Sequence, residues 1–171
     1  LFNLGNDILD TGIFADDAEL AIEDYHIGVY KTGEDGFGGR LQMGAATSGV
    51  GALYIYQNTT ADNFYTMFSL ANDIGPIADT SHLGHYVVSR NGTLTAYRNG
   101  SSVGSDASPS RARPNGKIYV HNASLDGSPW PASAANGTFA CYHIGTFLTA
   151  GEVATLYGLI QNFQTALTRN V

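Results

Sequence analysis

The chain has 171 residues, with 15 Asp and Glu against 8 Lys and Arg and a formal net charge of −7. That length suits one domain with a proper core. The acidic balance argues against nucleic acid as a partner, since phosphate contact needs a basic field, and no apolar run approaches a membrane span. Charged residues are only 13%, while Gly reaches 21 and Tyr 10, a composition that favours an all-β chain rich in turns.

The first residue is Leu rather than Met, so residues 1–171 are expected to form a single domain that is a processed product or a fragment of a longer chain. Residues 1–17 lack clear periodicity and suggest an edge strand followed by a loop. AIEDYHIGVYK, residues 21–31, reads as a strand that places His26, Gly28 and Tyr30 on one face. TGEDGFGGR, residues 32–40, is expected as a turn or exposed loop. Residues 40–44, 52–57 and 63–70 are strand candidates, and in the second of them Tyr54 and Tyr56 share a face opposite Leu53, Ile55 and Gln57.

Residues 85–103, HYVVSRNGTLTAYRNGSSV, contain Arg-Asn-Gly twice. Asn-Gly suits a tight hairpin because both central residues of a type I′ turn need positive φ. The stretch predicts a three-stranded antiparallel meander with turns at Asn91-Gly92 and Asn99-Gly100. Residues 105–115 follow as a loop, 117–122 as a strand, 125–136 as a long loop around Pro129-Trp130-Pro131, and 139–147 as a buried strand. About nine or ten strands at regular spacing point to a sandwich or jelly roll.

One helix is expected at the C-terminal end. Thr149 and Glu152 have capping-box spacing, and Leu148 and Val153 are placed to form a hydrophobic staple. Val153, Leu156, Leu159, Ile160, Phe163 and Leu167 form an apolar stripe at helical spacing, expected to face the sandwich. Cys141 is the only cysteine, so no internal disulfide forms. Sequons occur at Asn58, Asn91, Asn99, Asn122 and Asn136, three of them within Asn-Gly turns.

YVVSRNGTLTAYRNGSSVG, GKIYVHN and YHIGTFLTAGEVATLYGLIQNFQTAL together resemble the concanavalin A-like lectin/glucanase superfamily in its laminin-G-like form. The phrase from Leu148 to Tyr157 resembles the one that follows the last strand in such domains, and the extended tail ending Phe163-Gln164-Thr165-Ala166-Leu167 looks like versions found in bacteriophage and prophage structural proteins. The resemblance covers residues 84–169, and the N-terminal half fits by strand pattern only. It implies a jelly-roll β-sandwich of antiparallel strands with one C-terminal α-helix. It also implies contact with cell-surface glycan, on a virion surface or extracellularly.

Glycosidases of that superfamily carry carboxylates on one strand, and retaining cleavage needs two of them about 5 Å apart. Asp17, Glu19 and Glu23 miss the motif spacing by one residue, and the neighbours Glu23 and Asp24 would point to opposite faces of a strand. No catalytic residue is therefore assigned. No cofactor is expected, with calcium at Asp16, Asp17 or Asp35 a minor alternative. Cys141 with His143, and His82 with His85, are pairs that sequence does not bring together as a zinc site.

Trp130, the sole tryptophan, stands between prolines close to Asn122 and Asp126. An aromatic ring can lie against the apolar face of a pyranose while Asn and Asp supply hydrogen bonds. These three residues are the candidate ligand-binding set, and Tyr54, Tyr56 and Tyr65 are a possible second aromatic surface. The expected function is non-enzymatic: a glycan-binding or structural module of a phage-like tail, fibre or decoration. It would pair with copies of itself, as a trimer at a fibre tip, or with other virion subunits. A glycan-cleaving enzyme and a purely structural subunit-binding module are the alternatives.

Overall fold

The computed structural model describes residues 8–17, 20–21, 23–33, 39–58, 61–68, 73–108, 112–130, 135 and 137–169. In chain order the elements are β1 (Leu9–Phe14), β2 (Tyr25–Gly33), β3 (Gly39–Thr47), β4 (Gly51–Asn58), β5 (Asn63–Phe68), β6 (Asp73–Ala78) and β7 (Gly84–Asn91). Then come β8 (Thr93–Arg98), β9 (Ser101–Asp106), β10 (Lys117–Val120), β11 (Ser124–Leu125), β12 (Ser128–Pro129), β13 (Thr138–Gly145) and α1 (Ala150–Ala166). They form two sheets. One runs β1-β10-β3-β4-β5-β6 with the short β11–β12 hairpin branching from β3, and the other runs β13-β2-β7-β8-β9. This is the jelly-roll sandwich with one C-terminal helix. Among the described ladders, β11 on β3 is parallel and the rest are antiparallel.

Alternation along the strands builds the core. Ile27 and Val29 of β2, Val88 of β7 and Leu94 and Ala96 of β8 meet Met43, Ala45, Leu53, Ile55 and Phe64 from the other sheet. Each large aliphatic or aromatic side chain taken out of water here contributes about 1.5–3 kcal/mol. Charged groups close the two ends of the sandwich. At one end the buried Arg90 guanidinium holds Glu23 at 2.7 Å and donates to the Ser108 carbonyl at 2.9 Å. At the other, the buried carboxylate of Asp79 accepts from Arg98 (2.8 Å), Tyr86 Oη (2.6 Å), the His82 backbone N–H (3.1 Å) and Gln57 Nε2 (3.3 Å). Gln57 in turn accepts from the buried Lys31 ammonium of the facing sheet at 2.8 Å.

The meander forms as β7, β8 and β9. Asn99 (φ 49°) and Gly100 (φ 79°) make the second turn as expected, but Asn91 has no positive φ. In the first turn the register pairs Asn91 with Thr93, so Gly92 (φ 72°) alone forms the tip. β6 lies in a stretch that had no strand assignment. The loop expected over 125–136 contains β12 and part of β11, with 131–134 and 136 outside the described residues, as are 34–38 of the loop expected over 32–40.

The helix starts where its cap predicts. Thr149 Oγ1 accepts the Glu152 N–H, and Glu152 Oε2 accepts the Thr149 N–H at 2.8 Å. The Thr149 N–H and the Thr149 hydroxyl, both donating to Glu152 Oε2, hold the Glu152 carboxyl below its usual range. Thr149→Ala is expected to cost about 1 kcal/mol, read by chemical denaturation; an unchanged midpoint would mean that the cap contributes nothing to stability.

The helix face differs from expectation. Val153 is buried against Val87 and Tyr97, with Leu148 beside it. Further along, however, Leu159 (63% exposed), Phe163 (60%) and Leu167 (42%) face outward while Gln164 is buried. The reason lies in the outer face of the five-stranded sheet, which presents His and Tyr side chains under α1. Tyr157 stacks on His85 with centroids 6.1 Å apart, Tyr30 Oη donates to Gln161 at 3.2 Å, and Gln161 Nε2 donates to Tyr157 Oη at 2.7 Å. Polar pairing therefore rotates the helix away from its apolar stripe.

Candidate functional site

α1 packs on the outer face of the five-stranded sheet; on the eight-stranded sheet the described residues bring half-exposed aromatic rings to the outer face at β4 and beside β12. Register places Asp10, Tyr119, Gly44 and Tyr54 in one transverse row across β1, β10, β3 and β4. Gly44 (φ 153°) is a site where only glycine fits, since a Cβ would stand 2.2 Å from the Leu53 carbonyl oxygen and 2.5 Å from Tyr54 Cβ. Gly44 and Tyr119 are both buried, so the row is covered at its centre and comes to the surface at Asp10 and Tyr54. Tyr56 lies next to Tyr54 with ring centroids 6.5 Å apart, and Trp130 meets Tyr54 edge-on, also at 6.5 Å. All three rings are half-buried, so each is held by packing and still reaches solvent.

The β11–β12 hairpin positions Trp130. The Trp130 N–H donates to the Ala123 carbonyl at 2.9 Å, and Asn122 Nδ2 donates to the Trp130 carbonyl at 3.1 Å. Asn122 is 1% exposed and its Oδ1 accepts the Ala123 N–H. Its side chain thus anchors the tryptophan segment, and burial also keeps its sequon from a glycosylating enzyme in the folded state. Asp126 is exposed at the hairpin tip, where both carboxylate oxygens hold Ser48, through its N–H at 2.8 Å and its hydroxyl at 2.7 Å. These bonds lower its pKa. Of the three residues proposed from sequence, Trp130 brings a ring to the surface, while the bonds of Asn122 and Asp126 fix the loop that carries it. The pairing of Trp130 with Tyr54 was missed because 76 positions separate them.

Two other constellations have different chemistry. His26, His85 and His143 gather under α1, with His85 Nε2 and His143 Nε2 2.7 Å apart and His26 Nδ1 against the Thr146 carbonyl. Burial lowers the pKa of all three, taking His85 to about 4 and His143 to about 3 with help from their neighbours' charge. His82 is elsewhere, beside Asp62 at 3.5 Å. Among the described residues no three His, Cys, Asp or Glu side chains are arranged to hold a metal ion; Asp35 lies outside the described residues. A cavity of about 460 Å³ opens between β1 and β13, lined by Ile13, Asp17, Leu20, Ile144, Gly145 and Thr146. None of the described residues that line it is aromatic.

No protein-family model matches the chain, and no curated protein matches it in sequence. Solved structures do match in fold. The CBM40 module of the Ruminococcus gnavus IT-sialidase superposes with a TM-score of 0.58 at 12% identity, over 80% of this chain and 84% of that one. The same module bound to α2,3-sialyllactose gives 0.55 at 13% identity, over 81% and 84%. The NanB sialidase of Streptococcus pneumoniae gives 0.59 at 16% identity over 90% of this chain, which spans only 27% of that enzyme. Domains LG4-5 of the mouse laminin α1 chain give 0.50 at 13%, over 74% and 37%. These likenesses support the fold class, a jelly-roll sandwich of antiparallel strands.

Proposed function

We infer that the chain is a non-enzymatic glycan-binding module whose site is the aromatic outer face of the eight-stranded sheet. The observation that carries this reading is the set of half-buried, mutually contacting rings of Tyr54, Tyr56 and Trp130. A pyranose has one face of C–H groups that packs on such rings, and its hydroxyls can bond to phenol oxygens at the margin. The binding of sialyllactose by a module of the same fold supports the class of ligand. The absence of a catalytic step is part of the proposal: Glu23 is paired with Arg90 at the end of the sandwich, and Asp10 with Lys117.

A single shallow site binds weakly, and several copies on one particle offset that through avidity. A multi-copy setting on a virion surface belongs to the same proposal, supported by the resemblance of the tail ending Phe163–Leu167 to phage structural proteins. The test is a glycan array on the chain, followed by Tyr54→Ala and Trp130→Ala. Each is expected to weaken binding by about 2 kcal/mol, the cost of losing an anchoring ring, while the fold persists by circular dichroism. Full binding by both variants would move the site off this face, and reducing ends released from a bound polysaccharide would make the chain an enzyme.

A further inference from the structure

We propose that this face selects uncharged sugars and discriminates against sialylated or sulfated ones. The inference rests on the glycan-binding reading above and adds the class of sugar. Recognition of a carboxylate or sulfate calls for a cation able to face it, typically Arg in bidentate geometry. The chain has eight Lys and Arg in all; of the seven that are described, six are placed away from this face.

Lys31 is buried between the sheets on Gln57. Arg90 is buried on Glu23, and Arg98 holds Asp79. Arg113 donates to the carbonyls of Asp17 and Leu20. Arg40 stands opposite Gln57, on the side of β3 that faces the other sheet, and donates to the Gly39 carbonyl at 2.9 Å. Arg169 follows α1, which packs on the other sheet. Arg111 lies outside the described residues.

Lys117 alone among the described cations shares the aromatic face, two residues before Tyr119 on β10. Its ammonium is held at 2.8 Å by the Asp10 carboxylate, which stands next to Tyr119 in the transverse row. That pair is electrically neutral. Asp126, on the hairpin that carries Trp130, adds a negative charge at the margin, and the chain as a whole is at −7. An anionic sugar approaching the rings therefore meets a neutral pair, a carboxylate and a repulsive net field.

The experiment titrates the chain with neutral oligosaccharides built on glucose, galactose, mannose and N-acetylhexosamines, each beside its sialylated or sulfated derivative. Neutral members are expected to bind, and each acidic derivative to bind at least tenfold more weakly than its parent. Asp10→Asn, which releases Lys117 on an exposed part of the face, is expected to raise the affinity of each acidic derivative relative to that of its neutral parent, and an unchanged ratio would show that the Asp10–Lys117 pair does not set the selectivity. Acidic derivatives that bind as tightly as their parents, or more tightly, would overturn the selectivity while leaving the glycan-binding reading intact. If no member binds at all, that reading falls and the selectivity with it.

Discussion

Acidification from pH 7 to pH 4 will destabilise this chain steeply, and the slope will trace to the histidines under α1. His85 Nε2 and His143 Nε2 face each other at 2.7 Å, so one ring must donate and the other accept, and the two cannot both be protonated. Burial first, and then the neighbouring imidazoles, hold His85 at about 4 and His143 at about 3. An unfolded histidine titrates near 6.5. Between those values the unfolded chain binds more protons than the folded one, so stability falls as pH falls. The stabilisation is complete above about pH 6.5 and drains at about 1.4 kcal/mol per pH unit per histidine as pH decreases. Carboxylates with lowered pKa, such as Asp10 and Asp126, add their own loss only at lower pH. Urea denaturation at a series of pH values measures the slope. His85→Phe, which keeps a ring against Tyr157, should flatten it; an equal slope in wild type and variant would assign acid sensitivity to other groups.

The second large effect belongs to Asp79. Its carboxylate receives four donors in a site 1% exposed: Arg98, Tyr86, Gln57 and the His82 N–H. Removing one partner of a buried charge network leaves the others desolvated and unpaired. Asp79→Ala should therefore cost about 3–5 kcal/mol. For a chain of this length each kcal/mol lowers Tm by about 2–4 °C. Arg98→Met combined with Asp79→Leu removes the charge from both sides and should recover part of the loss, as replacement of a buried pair by apolar groups often does. A loss no greater than about 0.5 kcal/mol, the range of surface substitutions, would show that water already satisfies these groups.

What could be read from sequence was local. The cap at Thr149 and the Asn99-Gly100 turn depend on residues within one turn of each other, and both stand as expected. β6 was not recognised because Gly75-Pro76 interrupts it. A proline cannot donate to a ladder and reads as a breaker, yet it is tolerated on an edge strand, which is where β6 lies. The helix stripe misled for another reason: helical spacing identifies an apolar face, but the partner surface decides which face docks. Here that partner is a row of His and Tyr contributed by β2, β7 and β13. The aromatic site was visible only in pieces. Trp130 and the Tyr54/Tyr56 pair were noted as separate surfaces, and the parallel pairing of β11 with β3 that brings the tryptophan segment onto the sheet has no local signature.

The pairing of β1 with β10 and of β2 with β13 also governs how the chain must assemble. Thr11 hydroxyl to Ile118 carbonyl spans 107 positions, Thr32 to Thr138 spans 106, and Ser48 to Asp126 spans 78. Closing loops of that length costs entropy before any contact offsets it, and domains dominated by such pairings fold in milliseconds to seconds. On a ribosome, β2 leaves the tunnel about a hundred residues before the strand that covers its edge, at roughly 5–20 residues per second. For those seconds its apolar run from Tyr25 to Tyr30 can pair only with β7 once that strand appears, or with the same strand of a neighbouring nascent chain. Expression yield should therefore respond to temperature and chaperone supply more than the stability of the finished sandwich would suggest.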